Sequence, residues 1–335
     1  MTGSGAPLKF ELVFERVESL SLAGNPLGDP TVRELPLLVP GDHGGRSDLP
    51  LVILLAGFSG QGRVLLDDDP WSEGLLRRLD RLAAAGKIGP MIVALPDCFT
   101  RLGGSQYLNS ASTGRYEDYL WQDLLPSVKR RFPVGRVGVA GKSSGGYGAL
   151  VQAMRHPEIV AAAAVHSGDL YFEYCYLPDF PKAVRALRRH GGVEGFLAHF
   201  ANAPKKREGE LMDAINLLCM AACYSPDAAA PLGIALPFDL DTGAILPDIW
   251  SRWLAFDPVR MVEQPNYAAA LRGLRLLHIE CGSRDEFFLD MGARILSRRL
   301  HALGIAHHHE EFEDSHRSIN YRYDVTLPKL YAALA

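Results

Sequence analysis

Apolar residues along this chain fall into two kinds of run, and their alternation predicts the architecture. Short continuous apolar stretches occur at 51–56 (L-V-I-L-L-A), 91–95 (M-I-V-A-L), 159–165 and 274–280. Runs of this length without polar alternation suit strands covered on both faces, as in a parallel sheet. Between them, 75–85, 119–132, 146–155, 291–303 and 327–334 place apolar residues every three or four positions and predict helices. The 119–132 segment carries acids early and bases late, which complements a helix dipole, and Gly304 closes 291–303. Segments 10–22 and 32–39 are strand-like and flank the turn G-N-P-L-G-D-P, so they predict an opening antiparallel pair, while 308–312 predicts a last strand. The result is an α/β fold with a mostly parallel, doubly wound sheet.

One interval breaks the alternation. From 169 to 267 helices dominate, notably 182–200 and 210–223, followed by a Pro- and Gly-rich stretch at 227–247 and aromatic residues at 250–256. We expect a core of 1–168 and 268–335 with a helical cap insertion of 169–267. Tyr171, Phe172, Tyr174, Tyr176 and Phe180 follow the strand at 159–165, whose carboxyl end faces any site in such a sheet. They are either the cap's own core or a ligand wall. P-K-K-R at 204–207 is most simply a solvated loop.

Composition narrows the function. The 335 residues are 47% hydrophobic and 22% charged with a formal net charge of −4, an ordinary globular balance that excludes nucleic acid as an expected partner. No run approaches the ~20 apolar residues of a membrane span, and M-T-G-S-G-A-P-L-K-F lacks the basic and apolar regions of a secretory signal, so a cytoplasmic location is expected. Five cysteines, Cys98, Cys175, Cys219, Cys223 and Cys281, are an odd number without C-x-x-C spacing. That argues against a disulfide framework or a zinc site, and buried thiols are expected.

The chemistry centres on R-V-G-V-A-G-K-S-S-G-G-Y-G-A-L at 136–150, where Gly141, Ser143 and Gly145 fill G-x-S-x-G between an apolar run and a helical segment. A strand, sharp turn and helix in that order hold a serine in a strained conformation with its hydroxyl lifted toward the helix amides. The frame centred on Ser144 begins at Lys142, where the tight turn needs glycine, so Ser143 is the candidate nucleophile. A serine needs an imidazole to take its proton and a carboxylate to orient that imidazole, each on a loop after a strand. Asp285 follows the 274–280 strand in C-G-S-R-D-E-F-F and is the chosen acid over Glu286 and Asp290, though a helix-cap role competes. His316 follows the last strand in E-D-S-H-R-S-I-N and is the chosen base. His307, His308 and His309 are consecutive on a strand, point to alternating faces and cannot converge on one metal; His156 and His166 are expected to be structural. Backbone donors for an oxyanion are expected at Ser144 and at Phe58 in the G-F-S-G loop.

P-L-V-I-L-L-A-G-F-S-G, I-V-A-L-P-D-C with G-G-S-Q-Y-L-N-S, D-L-L-P-S-V-K-R-R-F and G-K-S-S-G-G-Y-G-A-L together resemble the esterase D-like serine esterases. R-H-P-E near His156, H-S-G at 166–168, C-G-S-R-D at Asp285 and D-S-H-R at His316 extend the likeness over nearly all of the chain except the cap. That family includes S-formylglutathione hydrolases, enterobactin esterases, feruloyl esterases and mycolyltransferases on the α/β-hydrolase fold. The resemblance implies Ser143, Asp285 and His316 as nucleophile, acid and base, an oxyanion role for Gly57 and Phe58, and ester hydrolysis without cofactor or metal. It also departs: Ala56 and Lys142 stand where relatives often carry histidine, and the cap is long for a formylglutathione hydrolase. Acyl transfer from the same acyl-enzyme, or a non-catalytic binding module of this fold, are the alternatives. The expected partner is a small-molecule ester, with the oligomeric state open and a homodimer included. Gly57, Tyr107, Tyr147 and Phe287 are candidate substrate walls, and specificity is expected in the cap and the 101–112 loop.

Overall fold

A computed structural model of the chain describes residues 8–42, 45–68, 70–207 and 209–335; the start of the stretch read for a leader, 1–7, lies outside the described residues. The apolar runs become the middle of an eight-stranded sheet. Its members are β1 (Phe10–Glu18), β2 (Val32–Pro40), β3 (Leu49–Leu55) and β4 (Ile92–Ala94). A two-stranded hairpin, β5 (Asn109–Ser110) and β6 (Gly114–Arg115), stands apart from it. β7 (Val134–Lys142), β8 (Val160–His166), β9 (Leu276–Gly282) and β10 (His308–Phe312) complete the sheet, in the order β1-β2-β4-β3-β7-β8-β9-β10. β1 pairs antiparallel with β2, and β2 antiparallel with β4; every later pairing is parallel.

Side chains alternate across these strands and separate into two cores, as the two-residue period requires. Leu51, Ile53, Leu55 and Val139 pack with Leu150 and Val151 of the helix Ser144–Arg155. Val52, Leu54, Val93 and Ala140 pack instead with Leu79 and Leu82 of the helix Leu75–Ala84 and with Leu327 and Leu330 of the helix Tyr323–Leu334. All seven residues of β3 are buried, so this strand is a rigid base for the loop that follows it. Among the described residues no helix is long and apolar enough to cross a membrane.

The closing helix begins four residues before the expected 327, at Tyr323, and three further differences from the sequence expectation have a local cause. The opening strand ends at Glu18, because Ser19 and the amide of Ser21 turn toward Asp123, with the Ser19 hydroxyl donating to its carboxylate at 2.6 Å. The 119–132 segment starts earlier, at Tyr116, and runs through a π-helical turn (Tyr119–Leu124) before Leu125–Arg131. Pro126 has no amide to donate into the ladder at that junction. The expected helix 182–200 is two, Phe180–Arg189 and Gly192–Asn202, parted at Gly191 and Gly192 with φ of 79° and 92°. Left-handed backbone at consecutive positions ends a right-handed helix, and glycine adopts it without strain. Between Asp169 and Tyr267 no strand of the main sheet occurs among the described residues, and the longest helix there is Gly209–Tyr224. Cys219 and Cys223 lie buried on that helix, and Cys98, Cys175 and Cys281 are also buried free thiols.

Candidate active site

β7 delivers Ser143 at the turn into the helix Ser144–Arg155 with φ 59° and ψ −127°, a conformation rarely adopted by residues other than glycine. The neighbours hold it there. The Ser143 amide donates to the His166 carbonyl at 2.9 Å, and its carbonyl accepts from the Tyr147 amide at 2.9 Å. The flanking glycines are required by space: a Cβ on Gly145 would stand 2.1 Å from the Leu55 carbonyl oxygen, and one on Gly141 would stand 2.4 Å from that of Gly145. The elbow is therefore pressed onto the end of β3. Ser144 is buried, and its hydroxyl donates to Asp169 Oδ2 at 2.9 Å.

Asp285 and His316 lie on two loops that are joined through the backbone. The Ser283 amide donates to the Phe312 carbonyl at 2.8 Å and the Arg284 amide to the Asp314 carbonyl at 2.9 Å. Gly282 permits this approach, since a Cβ there would lie 2.5 Å from the Ser315 carbonyl oxygen. His316 Nδ1 is 2.8 Å from Asp285 Oδ2, with both residues buried, and the other carboxylate oxygen accepts the Phe287 amide at 2.9 Å. Burial alone would raise the Asp285 carboxyl, but the hydrogen bond and charge of His316 outweigh it and hold the acid below the usual carboxylate range. An ionised Asp285 places the imidazole proton on Nδ1 and leaves Nε2 as the basic nitrogen. Glu286 bonds the backbone instead, its carboxylate accepting the His316 amide at 2.7 Å. Asp290 pairs with Arg294 at 3.2 Å in the following helix. Ser143 and His316 line the same cleft, with no hydrogen bond joining the serine hydroxyl to the imidazole.

The loop after β3 forms the facing wall. Gly57 lies so close to the elbow that a Cβ would be 3.3 Å from Ser143 Cβ. The Ser59 amide donates to Gly103 and the Gly60 amide to Gly57, whereas the amides of Phe58 and Ser144 have no partner among the described residues. The Phe58 ring lies over Gly103, where a Cβ would meet it at 2.8 Å.

The cleft has a volume of about 600 Å³ and takes in Gly57, Phe58, Ser143, Ser144, Phe287 and His316. Phe287 stands edge-on to the imidazole, with centroids 4.9 Å apart. The other two wall candidates lie elsewhere. Tyr107 sits behind the loop and its hydroxyl donates to the Ala56 carbonyl at 2.5 Å. Tyr147 is wholly buried between Phe172 and Tyr224, so its ring belongs to the core. Of the aromatic run, Tyr176 reaches the cleft, Phe172 and Phe180 are core, and Tyr174 is exposed. Lys142 lines the cleft, and burial lowers its ammonium pKa against the pull of Asp285 and Glu286. Asp169, Asp213 and Asn216 also line it without a sequence signal, and Arg207, exposed as expected of the P-K-K-R loop, lines it too; each comes from the helical interval, whose placement over the sheet no local motif encodes. Arg207 ties that interval to the loop after β3 by donating to the Ser59 carbonyl at 2.8 Å.

His166 and His278 do not reach the cleft. Glu280 bonds both rings, at 2.9 and 3.0 Å, and Arg322 bridges Glu280 to Glu310. Burial would raise the Glu280 carboxyl, but these partners hold it well below its ordinary value. His278, Glu280 and Glu310 offer ligand atoms within 4.8 Å of one another, yet the Arg322 guanidinium already occupies the space between the two acids. His307 bonds Ser297 and the Ile305 carbonyl.

A mostly parallel sheet flanked by helices, with its cleft at the strand carboxyl ends, defines an α/β-hydrolase-type fold. Solved structures share this fold. A ferulic acid esterase superposes with a TM-score of 0.60 at 16% identity, covering 97% of this chain and 99% of its own. The Staphylococcus aureus fluorophosphonate-binding serine hydrolase FphF gives 0.59 at 15% identity, covering 98% and 99%. An S-formylglutathione hydrolase from Agrobacterium tumefaciens gives 0.59 at 14% identity, covering 99% and 98%. No curated protein sequence matches the chain. Residues 34–328 match the family described as "Putative esterase", and the chain belongs to that family of esterase-type hydrolases.

Proposed function

We propose that the protein hydrolyses a small-molecule carboxylic ester through a Ser143–His316–Asp285 triad and an acyl-enzyme. The observation that carries this reading is Ser143 held at a strained elbow in the same cleft as an imidazole whose Nδ1 is anchored to a buried carboxylate. His316 Nε2 takes the proton of Ser143 Oγ as that oxygen attacks the ester carbonyl. The free amides of Phe58 and Ser144 donate to the oxyanion, each worth a rate factor of ~10²–10³. Collapse of the tetrahedral intermediate transfers the proton from His316 to the departing alcohol. Water, deprotonated by the same imidazole, then cleaves the Ser143 ester and releases the acid. Asp285 stays ionised throughout and keeps the imidazole oriented.

The test is a stopped-flow assay with a short-chain p-nitrophenyl ester, followed by mass analysis of acid-quenched protein. An acyl adduct on the peptide bearing Ser143, absent in Ser143→Ala, is the expected result. Undiminished turnover by Ser143→Ala refutes the mechanism. Adding competing alcohols to the same assay separates hydrolysis from acyl transfer by the products formed.

A further inference from the structure

Asp169 has no part in the triad, yet it is 6% exposed and lines the cleft beside Ser143 and Ser144. Three donors converge on one of its oxygens: Ser144 Oγ at 2.9 Å, Tyr176 Oη at 3.0 Å and Gln106 Nε2 at 3.3 Å, all to Oδ2. Oδ1 accepts nothing among the described residues. The carboxylate is thus oriented by neutral groups, with one oxygen left for a ligand. Burial raises its pKa against those three bonds and the more distant His316, so the charge is poorly compensated.

A second acid faces the same space. Asp213, on the helix Gly209–Tyr224, is half-buried in the cleft wall and forms no ion pair among the described residues; Lys182, whose charge also acts on it, is bonded to Asp179 at 2.7 Å. One turn on, Asn216 Oδ1 is buried without a donor. Lys142, Arg207 and Arg317 line the cleft without pairing with either acid, and Arg207 and Arg317 are exposed at its mouth. Gln106 and Tyr176 are buried, so the cleft is closed behind Asp169.

We propose that Asp169, assisted by Asp213, is a specificity-determining residue that selects esters whose acyl part carries a primary ammonium group. This rests on the esterase reading above. An ammonium supplies three N–H donors and a positive charge to a wall that presents acceptors and two carboxylates without an ion-pair partner among the described residues. A hydroxyl supplies one donor and no charge, and a methyl supplies neither.

The experiment compares 4-methylumbelliferyl esters of 3-aminopropanoate, 3-hydroxypropanoate and butanoate, which differ only in the terminal group. The expected kcat/KM for the amino ester exceeds that for butanoate by on the order of tenfold or more, the factor of a charge-assisted hydrogen bond. Asp169→Asn should abolish that ratio and Asp213→Asn should reduce it. Because the ratio is taken within each protein, general damage from disturbing Ser144 cancels. A wild-type preference for butanoate, an equal preference for the hydroxy ester, or an unchanged ratio in Asp169→Asn overturns the proposal. If fluorophosphonate labels Ser143 but none of the three esters is hydrolysed, the ammonium assignment falls while the serine-hydrolase reading stands. Failure to label Ser143 removes the esterase reading itself.

Discussion

Gly145→Ala probes how Ser143, the proposed nucleophile, is positioned without touching a group proposed to react. The new Cβ would stand 2.1 Å from the Leu55 carbonyl oxygen, 2.7 Å from its carbon and 2.8 Å from the Ala56 oxygen. The first of these is roughly 1 Å or more inside van der Waals contact. Neither side can yield through a rotamer, since the obstacles are backbone of a buried central strand. The elbow must retreat from β3 and carry Ser143 away from the loop at Gly57 and Phe58. Overpacking of this kind costs ~1–3 kcal/mol of stability, and a displacement of ~1 Å at a reacting group costs ~10²-fold in rate. Urea unfolding and kcat for a short-chain ester should show both losses. Gly273→Ala is the control, because its Cβ meets nothing nearer than 3.4 Å at a helix end with φ −77°; it should leave stability within ~0.5 kcal/mol and kcat unchanged. Wild-type activity and stability in Gly145→Ala would refute the close seating of the elbow on β3.

Other perturbations separate the supporting roles. Asp285→Asn should lower kcat by ~10³–10⁴-fold with a smaller change in KM, because an amide no longer enforces the Nδ1–H tautomer; steady-state kinetics checks the split. Glu280→Ala leaves Arg322 and two buried imidazoles without their shared acid and should cost ~3–5 kcal/mol in urea unfolding. Because the folded Glu280 carboxyl lies below its unfolded value of ~4.3, its contribution is present above that pH and is lost as pH falls toward the folded value. The wild type should therefore lose more stability than Glu280→Ala on going from pH 6 to pH 3, and an equal loss contradicts the assignment. Tyr107→Phe removes the donor to the Ala56 carbonyl and should cost ~1–3 kcal/mol while lowering kcat, measured by thermal unfolding and the ester assay.

The elbow was legible because its requirements are local: two glycines, a serine and a strand-to-helix change of period all lie within 136–150. Asp285 and His316 were picked from their places after strands, and the structure puts them 2.8 Å apart on loops joined by backbone bonds. What sequence left open depends on long-range placement. Tyr147 is a wall candidate by sequence, but helix geometry turns its ring into the core against Phe172 and Tyr224. Tyr107 lies near the cleft in the chain yet bonds the back of the Gly57 loop. Asp169 read only as the residue where the helical interval begins; three partners from distant segments make it a cleft residue. The break at Gly191 and Gly192 was visible as a glycine pair, but the apolar spacing on both sides concealed it.

The central claim is that Ser143, activated by His316, is the nucleophile. Incubation with a fluorophosphonate and peptide mapping by mass spectrometry tests it directly. One adduct on Ser143, absent in Ser143→Ala and formed at least ~10²-fold more slowly in His316→Ala, is the expected result. An adduct on Ser144 or another residue, or labelling at the wild-type rate in His316→Ala, contradicts it.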